Sequence, residues 1–128
     1  MTAYTDPSMW NAGLTAMHTN ANTIYIDSAQ PTTFTAASST YLLGTATPGG
    51  GSTVAAPAND AGTGQQVTVN AVASGGAITS TGTAAYWGVA YSSSSILYAG
   101  NSLSASQSVT NGNSFTTSSC VIDLRGAT

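Results

Sequence analysis

Few side chains in this sequence could carry chemistry, and they lie far apart. His18 is the only histidine and Cys120 the only cysteine, and the charged residues are Asp6, Asp27, Asp60, Asp123 and Arg125. Although a cysteine beside a histidine can act as a nucleophile with its base, Cys120 falls on the inner face of a predicted strand, where a thiol is a small buried hydrophobe. His18 ends a predicted helix, where it favours an interaction with the helix dipole. We therefore predict no catalytic residues and no enzymatic activity.

Candidate metal and phosphate sites are equally sparse. The aspartates are scattered along the chain, and residues 59–62 (NDAG) lack the further carboxylates that a calcium loop clusters together. Residues 49–53 (GGGST) lack the lysine of a phosphate-binding loop, so these glycines are more typical of a flexible segment. We predict no metal and no cofactor.

The composition excludes several classes of partner. Charged residues make up only 4% of the 128 residues, against about 25% in an average globular protein. A net charge of -3 with a single arginine argues against nucleic-acid binding, which needs a basic patch. The longest apolar run, residues 84–91, is too short to span a membrane. A lone cysteine excludes an intrachain disulfide, and we expect no signal peptide because no basic region precedes an apolar stretch at the N-terminus.

The first quarter of the chain carries the only strong helix pattern. Asp6 is a predicted N-cap and Pro7 fits the first helical position. Trp10, Leu14 and Met17 follow at helical spacing, which predicts an amphipathic helix over residues 7–18.

Strand patterns dominate the remainder of the first half. Residues 22–27 (NTIYID) alternate and predict a strand, and residues 32–46 predict a turn or short helix followed by a short strand. Residues 48–64 are rich in Gly, Pro and Ala and predict a flexible surface loop.

The second half alternates more regularly. Residues 65–73 (QQVTVNAVA) predict a strand, residues 74–76 (SGG) a turn, and Ile78 the start of another strand. Residues 83–91 (TAAYWGVAY) are apolar on both faces and predict a central strand. Trp87 lies on one of these faces, which favours core packing over a sugar-binding platform.

The chain's last third predicts two further strands and a hairpin. Residues 92–95 (SSSS) predict a turn and residues 96–100 (ILYAG) a short strand. Asn111 and Gly112 are a strong hairpin signal. A bulge near Ser118 and Ser119 would bring the apolar residues of the last strand onto one face.

Together these elements predict one domain over residues 1–128. Six to eight short strands with turns every 8 to 12 residues, and one short N-terminal α-helix, are typical of an antiparallel β-sandwich or barrel.

The order of segments resembles a family of small virion-associated structural proteins of tailed bacteriophages. The resemblance covers nearly the whole chain, and its most specific segments are AQPTTFTAASSTY, TGTAAYW and SASQSVTNGNSF. It implies a virion structural protein, and by analogy with small all-β phage proteins a capsid decoration (cement) protein on the outer head surface, made in the host cytoplasm. Its partners would be the major capsid protein and copies of itself, assembled as trimers.

Two alternatives stay open at this point. One is a tail, head-fibre-base or spike component of the virion, and the other is a carbohydrate- or receptor-binding β-sandwich module. In the decoration reading, Ser, Thr, Asn and Gly make contacts without the cost of desolvating charges. The N-terminal residues and the 48–64 loop, which have the fewest core residues, are expected to make many of the intersubunit contacts.

Overall fold

One helix and nine strands make up the part of the chain that the computed structural model describes, residues 7–59 and 64–124. The helix, α1, spans Pro7–Asn20. In chain order the strands are β1 (Thr23–Asp27), β2 (Leu42–Ala46), β3 (Ala58–Asn59), β4 (Gln65–Val69), β5 (Val72–Ile78), β6 (Gly82–Tyr91), β7 (Ile96–Val109), β8 (Ser114–Thr117) and β9 (Cys120–Leu124).

The strands form two antiparallel sheets that curl towards a barrel without closing it. The larger sheet has the order β7-β6-β1-β2-β5-β8, and the smaller one has the order β3-β4-β9. The chain passes from β4 into β5 through Asn70 and Ala71, and from β8 into β9 through Ser118 and Ser119. The two sheets therefore share a pair of long bent strands. This arrangement confirms the predicted mainly β, antiparallel class with one N-terminal helix.

β1 lies at the centre of the larger sheet. All five of its residues are buried, and it pairs with β6 on one edge and β2 on the other. Ile24 and Ile26 belong to the clusters on one face. On the other face the Tyr25 ring meets the Phe34 ring edge-to-face with centroids 6.1 Å apart, beneath a short π-helical turn at residues 36–40. The predicted strand and the predicted turn before β2 are both confirmed.

The helix supplies one side of the main core. Leu14 and Met17 are buried and pack on a set of aliphatic residues from the sheet, namely Ile24, Ala46, Val54, Val67, Val69, Val72 and Val89. The predicted apolar face is therefore confirmed for Leu14 and Met17, whereas Trp10 is half-buried. The helix runs two residues beyond its predicted end, and the predicted N-cap Asp6 lies outside the described residues.

The segment after β2 wraps around the C-terminal end of α1. The Gly51 N–H donates to the His18 carbonyl at 3.1 Å, which satisfies one of the carbonyls left free at the helix end. Thr53 and Val54 are completely buried, and Val54 forms a bridge with Val69. The expectation of a loop with little commitment to the core is therefore wrong for Thr53 and Val54, whereas residues 50–52 are exposed. Residues 60–63 of that loop lie outside the described part of the chain.

The predicted turn at residues 74–76 and the predicted hairpin around Asn111 and Gly112 are both wrong. Residues 74–76 do not turn, because β5 continues through them to end at Ile78 rather than begin there. The glycines are accommodated by a register irregularity against β8 between Val72 and Gly76, with Gly75 at a φ of 85°. Pairing with a distant strand thus overrides the local turn preference of the glycines.

The chain after residue 92 also differs from its prediction. β7 has 14 residues instead of the five predicted, and it follows a 3-10 turn at Ser92–Ser94. The turn at Asn111 and Gly112 forms, with Gly112 at a φ of 94°. It does not join a hairpin, because β7 pairs with β6 and β8 pairs with β5. The turn instead connects the two opposite ends of the larger sheet.

Asp27 is a buried carboxylate without a hydrogen-bond partner. Its side chain is completely buried, and neither carboxylate oxygen has a partner. Burial raises the pKa of Asp27 to about 7. Burial also raises the pKa of Tyr25, with a smaller contribution from Asp27.

Asp27→Asn should remove a pH dependence of stability. Because the pKa of Asp27 in the folded protein lies well above its ordinary 3.8, the folded state binds the proton more tightly than the unfolded chain. The contribution of Asp27 is therefore most favourable below pH 4, declines as pH rises towards 7, and is constant above that. At about 1.4 kcal/mol per pKa unit the decline amounts to about 4 kcal/mol. We expect the asparagine variant to be more stable than wild type at pH 8.

Urea unfolding between pH 4 and pH 8 measures this effect. If the free energy of unfolding changed with pH in the same way for wild type and Asp27→Asn, the raised pKa of Asp27 would be contradicted.

Two Gly→Ala substitutions test the packing at the end of α1. A Cβ on Gly50 would lie 2.6 Å from the Thr19 carbonyl oxygen, whereas a Cβ on Gly13 would meet nothing within 4 Å. Gly50→Ala should therefore lower the free energy of unfolding by about 2 kcal/mol, as overpacking does. Gly13→Ala, in an exposed part of the helix, should raise it by up to about 1 kcal/mol. Thermal unfolding compares the two, and equal shifts would refute the close approach.

Candidate interaction groove

A groove lies between the two end strands of the larger sheet. It has a volume of about 410 Å3, and both β7 and the β8–β9 segment line it. Its floor is apolar and consists of Ile24, Ile26, Ala84, Trp87 and Phe115. Its rim carries hydroxyl and amide groups, including Ser102, Ser104, Gln107, Thr116 and Ser118. None of the described residues that line the groove is charged.

A bulge in β7 forms one wall. Ala84 of β6 is opposite Gln107 of β7, and Tyr86 is opposite Ser102. Between these two pairs, β7 therefore has three more residues than β6. The extra residues arch out of the ladder, and Leu103 turns back to pack on the cluster around Ile26 and Leu43. The Ser102 N–H donates to the Asn101 side-chain oxygen at 2.8 Å, a local bond that competes with strand pairing.

The β8–β9 segment forms the opposite wall. Six consecutive residues, 115–120, line the groove. Since successive side chains of a strand point to opposite faces, such an unbroken run shows that the edge of this segment borders the groove. β8 ends the larger sheet and β9 ends the smaller one.

The turn between β7 and β8 closes one end of the groove. The Ile78 N–H donates to the Asn113 carbonyl at 2.7 Å, and the Gly112 N–H donates to the Ile78 carbonyl at 2.9 Å. The Asn111 N–H donates to the Thr81 hydroxyl at 3.0 Å. These bonds hold the ends of the two edge strands together, so the groove opens away from the turn.

The structure does not bring His18 and Cys120 together. His18 lies in the last turn of α1, as predicted, and its Nδ1–H donates to the Val54 carbonyl at 2.6 Å. Val54 is bridged to Val69, and Val69 pairs with Cys120. Two strand spacings, about 10 Å, therefore separate the backbones of Val54 and Cys120.

Cys120 is less buried than the sequence predicted. It is a free thiol that packs against the main core from a half-buried position, and it lines the groove. Its neighbours Phe115 and Ile122 pack on the same cluster, which confirms that a break near Ser118 and Ser119 puts these residues on one face. Cys120 is partly exposed because β9 ends the smaller sheet, where β4 is its only neighbour among the described strands.

Trp87 has two roles in this arrangement. It packs against both of the clusters that contain Ile24 and Ile26, in line with the predicted core position. It is nevertheless only half-buried, because the groove leaves part of its ring uncovered. The groove itself was not predicted from the sequence. Its one visible signal is the run of small uncharged residues at 102–108, which is too poor in large apolar side chains to pack as a covered strand.

The described residues contain no group of three or more His, Cys, Asp or Glu side chains that could hold a metal ion. Asp6, Asp60 and Arg125 lie outside the described ranges. In the part of the chain that the structure describes, no helix has the length and apolar character needed to cross a membrane.

Fold and groove together define a class: an incompletely closed antiparallel β-barrel, covered by one helix, with an uncharged groove along its opening. No protein-family model matches the chain, and neither a curated protein nor a solved structure shows significant similarity to it.

The bulge should depend on Leu103. Because this half-buried side chain packs on the cluster around Ile26, Leu43 and Ala84, Leu103→Ala should lower the free energy of unfolding by about 1.5 kcal/mol, less than a fully buried leucine would. Ser104→Ala alters an exposed residue of the same bulge and should change it by less than about 0.5 kcal/mol. Chemical denaturation measures both, and equal effects would show that Leu103 does not anchor the bulge.

Proposed function

We propose that this chain is a structural protein of a tailed-bacteriophage virion, and that it decorates the outer surface of the head. It binds the major capsid protein and further copies of itself, and the resemblance of its segments to small phage virion proteins suggests trimers. Its role is to stabilise the head lattice by contact, without catalysis.

The observation that carries the proposal is the edge formed by β8 and β9, which no described strand covers and on which Asp123 is the single charged residue among those described. Only Asp27 and Asp123 among the described residues bear carboxylates, and Asp27 is completely buried. Natural proteins protect exposed strand edges with charges, prolines or bulges, because a free edge pairs with other chains. The β8–β9 edge has neither proline nor lysine. Such an edge suits a protein that spends its life in an assembly.

Hydroxyl and amide groups fit the same role. A charge buried in a tight contact must be desolvated and paired, whereas Ser, Thr and Asn form hydrogen bonds at lower cost. A protein that binds only the assembled lattice stabilises it by mass action. Several copies engaged at once raise that effect without strong single contacts.

The burial of Thr53 and Val54 excludes these two residues from the surface that can make intersubunit contacts. Residues 50–52 of the same segment, in contrast, are exposed. The edge of β8–β9 and the groove are better placed, since they expose main-chain groups and apolar surface together.

Two other functions fit parts of the same geometry. A tail, head-fibre-base or spike component would use the same edge in a ring of few copies. A carbohydrate- or receptor-binding module is favoured by one observation: the Trp87 ring lies on the groove floor beneath a rim of hydroxyl groups, an arrangement on which a sugar can stack.

Copy number and position in the virion test the proposal. Quantitative mass spectrometry of purified virions should give hundreds of copies per particle, and imaging should place density on the head surface, because a closed shell repeats each site by its symmetry. About a dozen copies confined to the tail would favour the tail component. Absence from virions would refute both.

A further inference from the structure

We propose that the groove binds an extended, uncharged segment of a partner protein, which adds to the free edge of β8 as a further strand. This inference rests on the proposed role in protein–protein contact and names the kind of segment that the contact takes.

One edge of β8 offers main-chain N–H and C=O groups to an added strand. β8 pairs only with β5 among the described strands, so the N–H and C=O groups on its other edge have no ladder partner. Addition of a strand to a free edge supplies those partners. The run from residue 114 to residue 119 spans about 20 Å in extended form, which fits a segment of about six residues.

The groove floor can accept every second side chain of an added strand. Alternate side chains of an added strand would point down onto the apolar floor of Ile26, Trp87 and Phe115, and the others would point to solvent past the hydroxyl rim. The groove volume of about 410 Å3 is large enough for several aliphatic side chains. The segment should therefore alternate apolar and small polar residues.

Charge complementarity restricts the segment further. Because no described residue that lines the groove is charged, a Lys, Arg, Asp or Glu directed onto the floor would lose its hydration without gaining a partner. Charged and phosphorylated residues are therefore excluded at the positions that face the floor, and a stretch that is uncharged there is selected.

The two walls of the groove differ in what they offer. The bulge between Ser102 and Gln107 interrupts the edge of β7, which is a known way of blocking edge pairing. β8 has no such interruption along Ser114–Thr117 on the groove side, and its side chains there are hydroxyls and Phe115. An added strand is therefore expected to pair on one side only, so single sites bind weakly and several copies bind together.

A synthetic peptide provides the direct test. The probe is a capped peptide of sequence VTVNAVA, which is uncharged and alternates apolar with small polar residues over its first part. Binding is followed by the emission of Trp87 in a Trp10→Phe background, so that only the tryptophan on the groove floor reports. Saturable binding is expected.

Two altered peptides separate strand addition from nonspecific apolar contact. N-methylation at alternate residues removes main-chain donors and keeps every side chain, and it should weaken binding about tenfold or more, since each lost hydrogen bond costs a severalfold change. Replacing the valines at positions 1 and 3, which share one face of the strand, by aspartate should abolish binding. Equal affinity for the N-methylated peptide would overturn the proposal.

Matched variants locate the site on the protein. Ala105→Lys places an ammonium group in the bulge beside the groove, and Ser93→Lys places the same charge in the exposed turn before β7. The first should weaken peptide binding at least about tenfold and the second should leave it unchanged. Ser104→Lys serves as a second groove variant if Ala105→Lys lowers the unfolding temperature. Equal binding by wild type and a folded groove variant would overturn the assignment.

Other occupants are distinguishable outcomes. Ala105-dependent dimerisation of whole subunits without peptide binding, or a glycan that alters Trp87 emission while the peptide does not, would overturn strand addition. Failure of the peptide with hundreds of copies still on the head would refute this inference and leave the decoration role standing. If the protein bound the peptide but was absent from virions, the decoration role would be refuted and the strand-addition inference would stand.

Discussion

The fold depends on the burial of β1 from both faces and both edges. Ile24 packs into the core around Leu14 and Met17, and Tyr25 packs on the other face against the segment carrying Phe34 and Ala37, while β2 and β6 pair with its two edges. A strand covered in this way buries its apolar residues on both faces, so it fixes which residues of β6 and β2 face inward. The unpaired carboxylate of Asp27 at the end of this strand shows how strongly that requirement acts. The backbone position is kept although the side chain finds no partner.

Local pattern was sufficient where one element decides its own burial. The spacing of Leu14 and Met17 predicted α1, and the alternation through Trp87 and Val89 predicted a central β6, because both signals come from the residues that enter the core. It failed where a distant strand decides. Residues 74–76 have turn chemistry, yet Val72 and Gly76 pair with Thr117 and Phe115. Asn111 and Gly112 form their turn, but nothing local states that the flanking strands pair with β6 and β5 instead of each other.

The scarcity of charge leaves polar chemistry to the backbone and to neutral side chains. The end of α1 is satisfied by the Gly51 N–H, and His18 donates to the Val54 carbonyl, so the helix is joined to the sheet without an ion pair. Such bonds change little with ionic strength, unlike surface ion pairs. The groove could not be predicted from sequence for a related reason. Its lining comes from seven strands, and the small residues of β7 and β8 carry no motif until the sheet's curvature places their edges opposite each other.

Incomplete closure sets the relation between stability and contact in this protein. The four-residue connection at 110–113 is short enough for β7 and β8 to pair as a hairpin, and that would seal the barrel. Instead β7 matches β6 over nine registered positions, and a three-residue bulge carries its edge away from β8. The sheet is pinned at the turn by the bonds between Ile78 and residues 112–113 and opens away from it. Parts of the Trp87 and Phe115 side chains and main-chain groups of the β8 edge are thus uncovered in the isolated subunit, a state that costs stability and favours association. A partner that supplies the missing strand covers the apolar surface and pairs with the free main-chain groups. The opening therefore lowers the stability of the monomer and favours the assembled state.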